Sequence, residues 1–324
     1  MAQKKYNYCF DYLKCIACIF VVFMHCEFPG VFGTAVQAIS RFCVPFFFMI
    51  SGYYSYNTST ESSKRKVKRI AKMTIYASVF YLIFALVQWA LGQNINPVSK
   101  RDIVLWILFN RPVVIVGQLW FLFALIYVYL LYYIIQKKNL YKLAYCTIIV
   151  FIAIYIFFAQ GMHMLGKDMP NFLYRNFLIE GFPLFMLGEW IHKEENKFNF
   201  SNKAIITVIV ASTLMCFLER AVMGRDFGIN ISTFVQVMAI FIYGINNSEK
   251  HKGVMQEIGK KCSMFVYILH PFVWKMLVIL SEKINIKGSV VFSYSLPVMV
   301  IIITLVLAWY CNKIVFERKK IIEQ

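Results

Sequence analysis

Charge is scarce in this chain of 324 residues: Asp, Glu, Lys and Arg together make up 15%, and only 16 residues are acidic. A soluble domain devotes about a quarter of its residues to charge. The shortage therefore argues against a water-soluble globular protein. Strict alternation of polar and apolar residues is also lacking, which excludes a transmembrane β-barrel. Loops long enough to hold a further globular domain are missing as well, so residues 1–324 are expected to form a single membrane-embedded domain with no appended soluble domain. What is plentiful is apolar sequence, at 60% hydrophobic residues and a mean hydropathy of +0.62. Long apolar runs recur to the end of the chain. The fold class this predicts is all-α, a polytopic helical bundle within the bilayer.

Ten spans are predicted, at 9–28, 34–56, 70–91, 118–136, 141–160, 175–192, 203–221, 228–246, 262–281 and 289–312. Lys and Arg gather in alternate connections, with Lys4 and Lys5 ahead of the first span, a cluster from Lys64 to Lys72, and a basic tail from Lys313. That asymmetry places both termini in the cytoplasm. It also accounts for the net charge of +18 as topology and attraction to anionic headgroups, so the lipid bilayer and not nucleic acid is the expected partner. The expected location is the cell membrane, in a bacterium the cytoplasmic one. Cys15 and Cys18 match C-x-x-C but lie within an apolar span, away from a thioredoxin-like context, and no metal is expected. The opening segment resembles a signal peptide, yet Asp11 and Lys14 interrupt it and further spans follow, so it is kept as a span.

The first span carries the chemistry most out of place in a bilayer. Asp11, Lys14 and His25 are ionisable groups in or beside an apolar run, and such groups usually face a bundle interior or a wet cavity. Lys14 and His25 are eleven residues apart, which on a helix is three turns plus about 20° and roughly 16 Å of rise. Asp11 falls within about 40° of the same stripe. Arg41, by the second span, is either an interfacial anchor or a site residue. Pro45 is expected to kink that span, and Ser51-Gly52 to offer a small surface for a neighbouring helix.

Further along, the basic loop with Arg65, Lys66, Lys68 and Arg69 suits lipid headgroups or the phosphates of a donor. The loop from Gly92 to Gly117 should contain a short helix near Asp102 to Phe109, before Trp120 opens the fourth span. Arg175 and Glu180 of the sixth span lie about 140° apart on a regular helix and cannot share a face there. His270 precedes Pro271, which biases its backbone away from regular helix and suggests a wet cavity. A histidine that is simply satisfied is the alternative.

Taken together, Asp11-Tyr-Leu-Lys14 with His25, Arg41-x3-Pro45-Phe-Phe-Phe-x2-Ser51-Gly52, the basic run ending at Arg69, Leu119-Trp120-Phe, Arg175-Asn176 with Gly181-Phe-Pro183, and Tyr267-x2-His270-Pro271 resemble the membrane acyltransferase 3 family over nearly the whole chain. Two positions depart from that pattern: Lys14 stands where relatives usually have Arg, and Gln118 where a His is common. The resemblance implies acetyl transfer from cytoplasmic acetyl-CoA, as co-substrate, to a hydroxyl of a sugar or cell-envelope glycan. It implies that Arg65, Lys66, Lys68 and Arg69 meet the phosphates of the acyl-CoA and that His25 is the general base, while Lys14 contacts the donor or stabilises charge along the channel and lies with Asp11 toward the coenzyme-facing end. Arg41, Trp120, Arg175, Asn176, Glu180 and His270 would bind the acceptor.

Phe-Phe-Phe-Met-Ile-Ser-Gly-Tyr-Tyr and the Arg-Asn segment are also similar to the membrane domain of vancomycin-resistance serine racemases. That likeness implies a transporter of a small molecule such as serine. No racemase domain follows the tenth span, which favours the transferase expectation. A pseudoenzyme that scaffolds envelope assembly is the third reading.

Overall fold

In the computed structural model, residues 6–93, 98–111, 114–225 and 227–317 are described. Lys4, Lys5, Pro112 and the tail from Arg318 lie outside them. The described residues form helices joined by short turns. Their elements are α1 (Tyr8–His25), α2 (Gly30–Ser40), α3 (Cys43–Tyr53), α4 (Thr60–Ala90), α5 (Lys100–Phe109), α6 (Trp120–Lys138), α7 (Tyr141–Ile156), α8 (Met162–Met164), α9 (Phe182–Lys193), α10 (Asn202–Met223), α11 (Ile231–Asn246), α12 (Val254–Lys261), α13 (Ser263–Lys283) and α14 (Val290–Asn312). Two π-helical turns, Phe157–Gly161 and Phe177–Gly181, precede α8 and α9.

Eight helical segments among the described residues are long and apolar enough to cross a membrane, counting α2 with α3 (Gly30–Tyr53) and α7 with the π turn and α8 (Tyr141–Met164) as one segment each. The other two predicted spans are shorter. One is α11, with 16 residues, and the other is the π turn running into α9. At 1.5 Å per residue α11 covers about 24 Å, less than the roughly 30 Å of a hydrocarbon core. The protein is thus an all-α, multi-pass membrane protein.

Three local expectations change. The second span is two helices, α2 and α3, separated at Arg41 and Phe42. Pro45 is the third residue of α3, where backbone N–H groups have no partner within the helix, so it begins a helix and kinks none. The basic segment is not a loop, because it belongs to the first turns of the 31-residue α4. A helix of that length rises about 46 Å and must project beyond the hydrocarbon, and its charged end is the part that does so. Finally, α13 runs unbroken through His270 and Pro271, so the irregular backbone expected there is absent.

The residues group into two compact units, Met1–Phe46 with Asn196–Gln324, and Phe47–Glu195. In the first, α1 is the central element. The Asn7 side chain accepts from Phe10 N at 2.8 Å and starts the helix. It also donates to Gly244 O at 3.0 Å, anchoring α1 to α11. The amphipathic helix α12, absent from the predicted spans, packs against α1 at Gly259, where a Cβ would overlap the Asp11 carbonyl. Glycine is required there because the two backbones touch. In the same unit α10 and α11 are joined by Gln236, which donates to Thr213 Oγ1 at 2.9 Å, and by the paired amides of Asn202 and Asn247.

In the second unit, Gly52 meets the Phe185 carbonyl and Gly188 meets Met49, so α3 and α9 cross at reciprocal glycines. This is the close approach expected at Ser51-Gly52. Ser63 donates to Gln136 at 2.6 Å, tying α4 to α6. The short helix α5 forms where it was expected and starts with a capping box between Ser99 and Asp102. Those bonds from Ser99, more than the charge of Arg111, hold the Asp102 carboxyl below its usual range. At its other end Asn110 adopts a left-handed conformation and accepts from Phe177 N at 2.7 Å, which ties α5 to the π turn before α9.

Candidate active site

The predicted residues fall into five groups. In the first unit Asp11 is 3% exposed and forms an ion pair with Lys14. It also accepts a hydrogen bond from the Tyr6 hydroxyl. The i, i+3 spacing that set these two on one stripe thus sets them against each other. Tyr6 was not foreseen, since nothing in its position ahead of the span points to Asp11.

At the C-terminal end of the same helix is His25, half-buried. Its ring lies 5.2 Å from that of His270, centroid to centroid, with the planes inclined by 32°. His270 is fully buried. Its Nδ1 lies 3.0 Å from the Val266 carbonyl, one turn back along α13. A carbonyl oxygen only accepts, so Nδ1 carries the proton in that bond. Its Nε2 is buried with no hydrogen-bond partner among the described residues. Two histidines 245 positions apart are therefore brought together by the packing of α1 on α13, which no local spacing announces.

Arg41 caps the end of α2, and its Nη2 donates to Gln37 Oε1 at 3.2 Å. Gln37 in turn donates to the Phe23 carbonyl on α1 at 2.8 Å. The guanidinium is therefore oriented through a glutamine that the sequence did not single out, four residues earlier on the same helix face.

In the second unit Arg175 and Glu180 come together after all. The reason is that Arg175 precedes the helix. Asn176 is the N-cap, and its carbonyl accepts from both Glu180 N and Gly181 N, at 3.0 and 3.1 Å, which opens the turn to π geometry. The 140° of a regular helix does not apply. Arg175 Nε approaches Glu180 Oε2 to 3.9 Å, and the guanidinium lies 5.4 Å from the centre of the Trp120 ring. Trp120 is 9% exposed, so it faces the protein. Glu180 is 2% exposed. Both Glu180 Oε2 and Arg175 Nε are buried without a hydrogen-bond partner among the described residues. The Asn176 side chain is committed to backbone: it accepts from Leu178 N and Ile179 N, each at 2.9 Å, and donates to Phe172 O and Leu173 O.

The basic residues divide on α4. Arg65, Lys68 and Arg69 are exposed, as is Lys72. Spaced by three and four residues, they form one stripe. Lys66 points elsewhere, donating to Tyr54 O at 2.9 Å and Ser55 Oγ at 2.8 Å. It holds the end of α3, so of the four predicted phosphate contacts three are presented outward.

One polar cluster escaped the sequence reading. Glu189 on α9 is 1% exposed and accepts from the Tyr145 hydroxyl at 2.6 Å. It borders a cavity of about 350 Å³ that is also lined by Tyr56, Tyr141, Lys142 and Lys193. The signal was available, since Glu189 is an acid within an apolar run just as Glu180 is.

Residues 7–312 match the acyltransferase 3 family, described as an acyltransferase domain. A serine/alanine racemase of Enterococcus gallinarum is 25% identical over 344 residues, covering 96% of this chain and 46% of that protein. The chain thus spans about half the length of that curated relative. No solved structure matches. The family match runs over nearly the whole chain, through α1 with His25 to the end of α14, and this protein is a multi-pass membrane member of the acyltransferase 3 family.

Proposed function

We propose that the protein is an O-acyltransferase that moves acetyl from cytoplasmic acetyl-CoA to a hydroxyl of a sugar or cell-envelope glycan at the bacterial cytoplasmic membrane. The observation that carries this reading is His25, an imidazole held half-buried in a spanning helix of an acyltransferase-family chain. Imidazole takes up a proton near neutral pH, as a general base for a hydroxyl must. The acceptor oxygen attacks the thioester carbonyl, its proton passes to His25, the C–S bond breaks, and the proton leaves on the coenzyme thiol. Arg65, Lys68 and Arg69 supply charge-assisted hydrogen bonds for the phosphates of the donor. Lys66 supports them by fixing the end of α3. The pair of Arg175 with the buried Glu180, beside Trp120, provides polar and aromatic contacts for the acceptor.

The test is transfer of isotope-labelled acetyl from acetyl-CoA by the purified protein, followed by glycan analysis of a deletion strain. Labelled acceptor from wild type, and none from His25→Ala protein that remains helical, is the expected result. A second reading is transport of a small molecule such as serine, favoured by the similarity to the serine/alanine racemase. Saturable serine uptake with no binding of acetyl-CoA would replace the first reading by the second.

A further inference from the structure

Near His25 the structure holds one polar atom with nothing to do. His270 Nε2 is buried and without a hydrogen-bond partner among the described residues, although its ring is fixed by the bond from Nδ1 to the Val266 carbonyl at 3.0 Å. That bond determines the tautomer: Nδ1 carries hydrogen, and Nε2 presents a lone pair. A buried acceptor left unsatisfied costs about 1–3 kcal/mol, a cost avoided if a donor comes within reach. The ring centroids of His270 and His25 are 5.2 Å apart and the planes are inclined by only 32°. The rings share no hydrogen bond as they stand, but at this separation a turn of the His25 ring brings a nitrogen within the roughly 2.7–3.2 Å of one.

We propose that His270 is the positioning residue of His25: its Nε2 accepts an N–H from the His25 ring and so fixes which His25 nitrogen is left with a lone pair. In neutral imidazole one nitrogen donates and the other accepts. Once the first is turned toward His270, the second is the nitrogen that can take a proton. When it does, both His25 nitrogens are donors, and the bond to His270 Nε2 holds the imidazolium in place until the proton leaves on the thiol. His270 remains neutral throughout and gives up no proton. This role for His270 rests on the reading of His25 as the base, whereas the hydrogen bond itself does not.

Histidine nitrogen NMR tests the two separately. The chain contains five histidines, so ¹⁵N-histidine signals of the full-length protein in lipid nanodiscs can be assigned by single substitution. In wild type without substrate, His270 is expected as the Nδ1–H tautomer and His25 as one dominant tautomer. A His270 signal of the Nε2–H tautomer overturns the proposal with no variant required. His270→Phe keeps the bulk and removes the acceptor. It should leave His25 as a mixture of tautomers and lower kcat for acetyl transfer about 10–100-fold, within the span of a general base's contribution, with KM for acetyl-CoA unchanged. His270→Gln restores an acceptor oxygen and should recover both readouts in part. Equal loss in the Phe and Gln variants, or a His25 tautomer indifferent to His270, overturns the proposal. A wild-type protein with the expected tautomers but no acetyl transfer would refute the proposed function and leave the histidine bond standing.

Discussion

His25 with His270 and Arg175 with Glu180 are two answers to one problem, the placing of polar groups among apolar helices. The first uses rings that need carry no charge, one of them fixed by a backbone carbonyl. The second uses opposite charges 3.9 Å apart that share no hydrogen bond. Desolvating charge is expensive, and the attraction between partners repays it only when geometry is good and the remaining polar atoms are satisfied. The histidine pair therefore costs the fold less. The ionic pair is tense, with an unsatisfied atom on each partner, and owes its geometry to a widened turn. Different lessons follow for mutation: one cluster should govern rate, the other stability.

The largest expected effect tests the first half of that contrast. His25→Ala should lower acetyl transfer by about 10²–10⁴-fold, the usual contribution of a general base, while helical content by circular dichroism and affinity for acetyl-CoA stay at wild-type levels. A variant that retains full transfer would remove His25 from the chemistry. Loss of folding in the same variant would make the two clusters alike.

Glu180→Ala tests the second half. It leaves the guanidinium of Arg175, with a side chain 27% exposed, beside Trp120 without its carboxylate. Removing one member of a fully buried pair costs about 3–5 kcal/mol. The cost here should fall below that range, because Arg175 retains some solvent and the pair lacks a hydrogen bond. A lowered midpoint of thermal unfolding in detergent measures it, and His270→Phe should lower that midpoint less. If the order reverses, the charged pair is the better accommodated of the two.

The basic stripe of α4 is a third kind of charge, exposed and already hydrated, and it sharpens the comparison by costing the fold nothing. Arg69→Gln and Lys68→Gln should each raise KM for acetyl-CoA, by up to the about 1.5–3 kcal/mol of a hydrogen bond to a charged group, and leave the unfolding midpoint unchanged. Lys66→Met should do the opposite, because its ammonium is spent on Tyr54 and Ser55. Steady-state kinetics with thermal unfolding on the same preparations distinguishes the two kinds of lysine. A midpoint lowered by Lys68→Gln would show the stripe to be structural.

How much of this was legible in the sequence follows from range. Hydropathy and charge asymmetry are summed over whole spans, so the all-α membrane class could be read from them. A short helix between spans was also readable from the local stretch Asp102 to Phe109, and Ser99 with Asp102 caps it. Spacing on α1 correctly put Asp11 and Lys14 on one stripe, because their contact is within one helical turn. The same arithmetic failed for Arg175 and Glu180 because it assumed a regular helix where Asn176 accepts two backbone N–H groups and opens a π turn. The loop expected at the basic segment failed for a different reason: charge suggested a loop, but nothing in the residues opposes helix. The meeting of His25 with His270 was out of reach, since it depends on how α1 packs on α13. Gly259 was likewise silent: a glycine near the end of a short amphipathic helix does not say which backbone it touches.

That short helix, α12, supplies the smallest effect and the mildest form of the contrast. Glu257 and Lys261 sit one turn apart on it with Oε2 and Nζ at 2.7 Å, their side chains 39% and 42% exposed. The hydrogen bond from Lys261, with the neighbouring positive charges, lowers the Glu257 carboxyl below its usual range. A carboxyl whose folded pKa lies below its unfolded one contributes stability that is present above the unfolded value and lost as pH falls through the folded value. The loss therefore begins below about pH 4.3, the usual range of Glu, and is complete only at still lower pH. Solvent screening limits the pair to about 0.3–0.5 kcal/mol, as for other exposed i, i+4 pairs. Glu257→Gln should thus narrow the stability difference between pH 7 and pH 3.5 by no more than that. The measurement is thermal unfolding in detergent at both pH values and at low ionic strength, repeated in 1 M salt, where the Debye length of about 3 Å should erase most of the difference. A difference larger than the limit, or one that resists salt, would mean that Glu257 is shielded between α12 and α1 and belongs with the partly buried pair of Arg175 and Glu180.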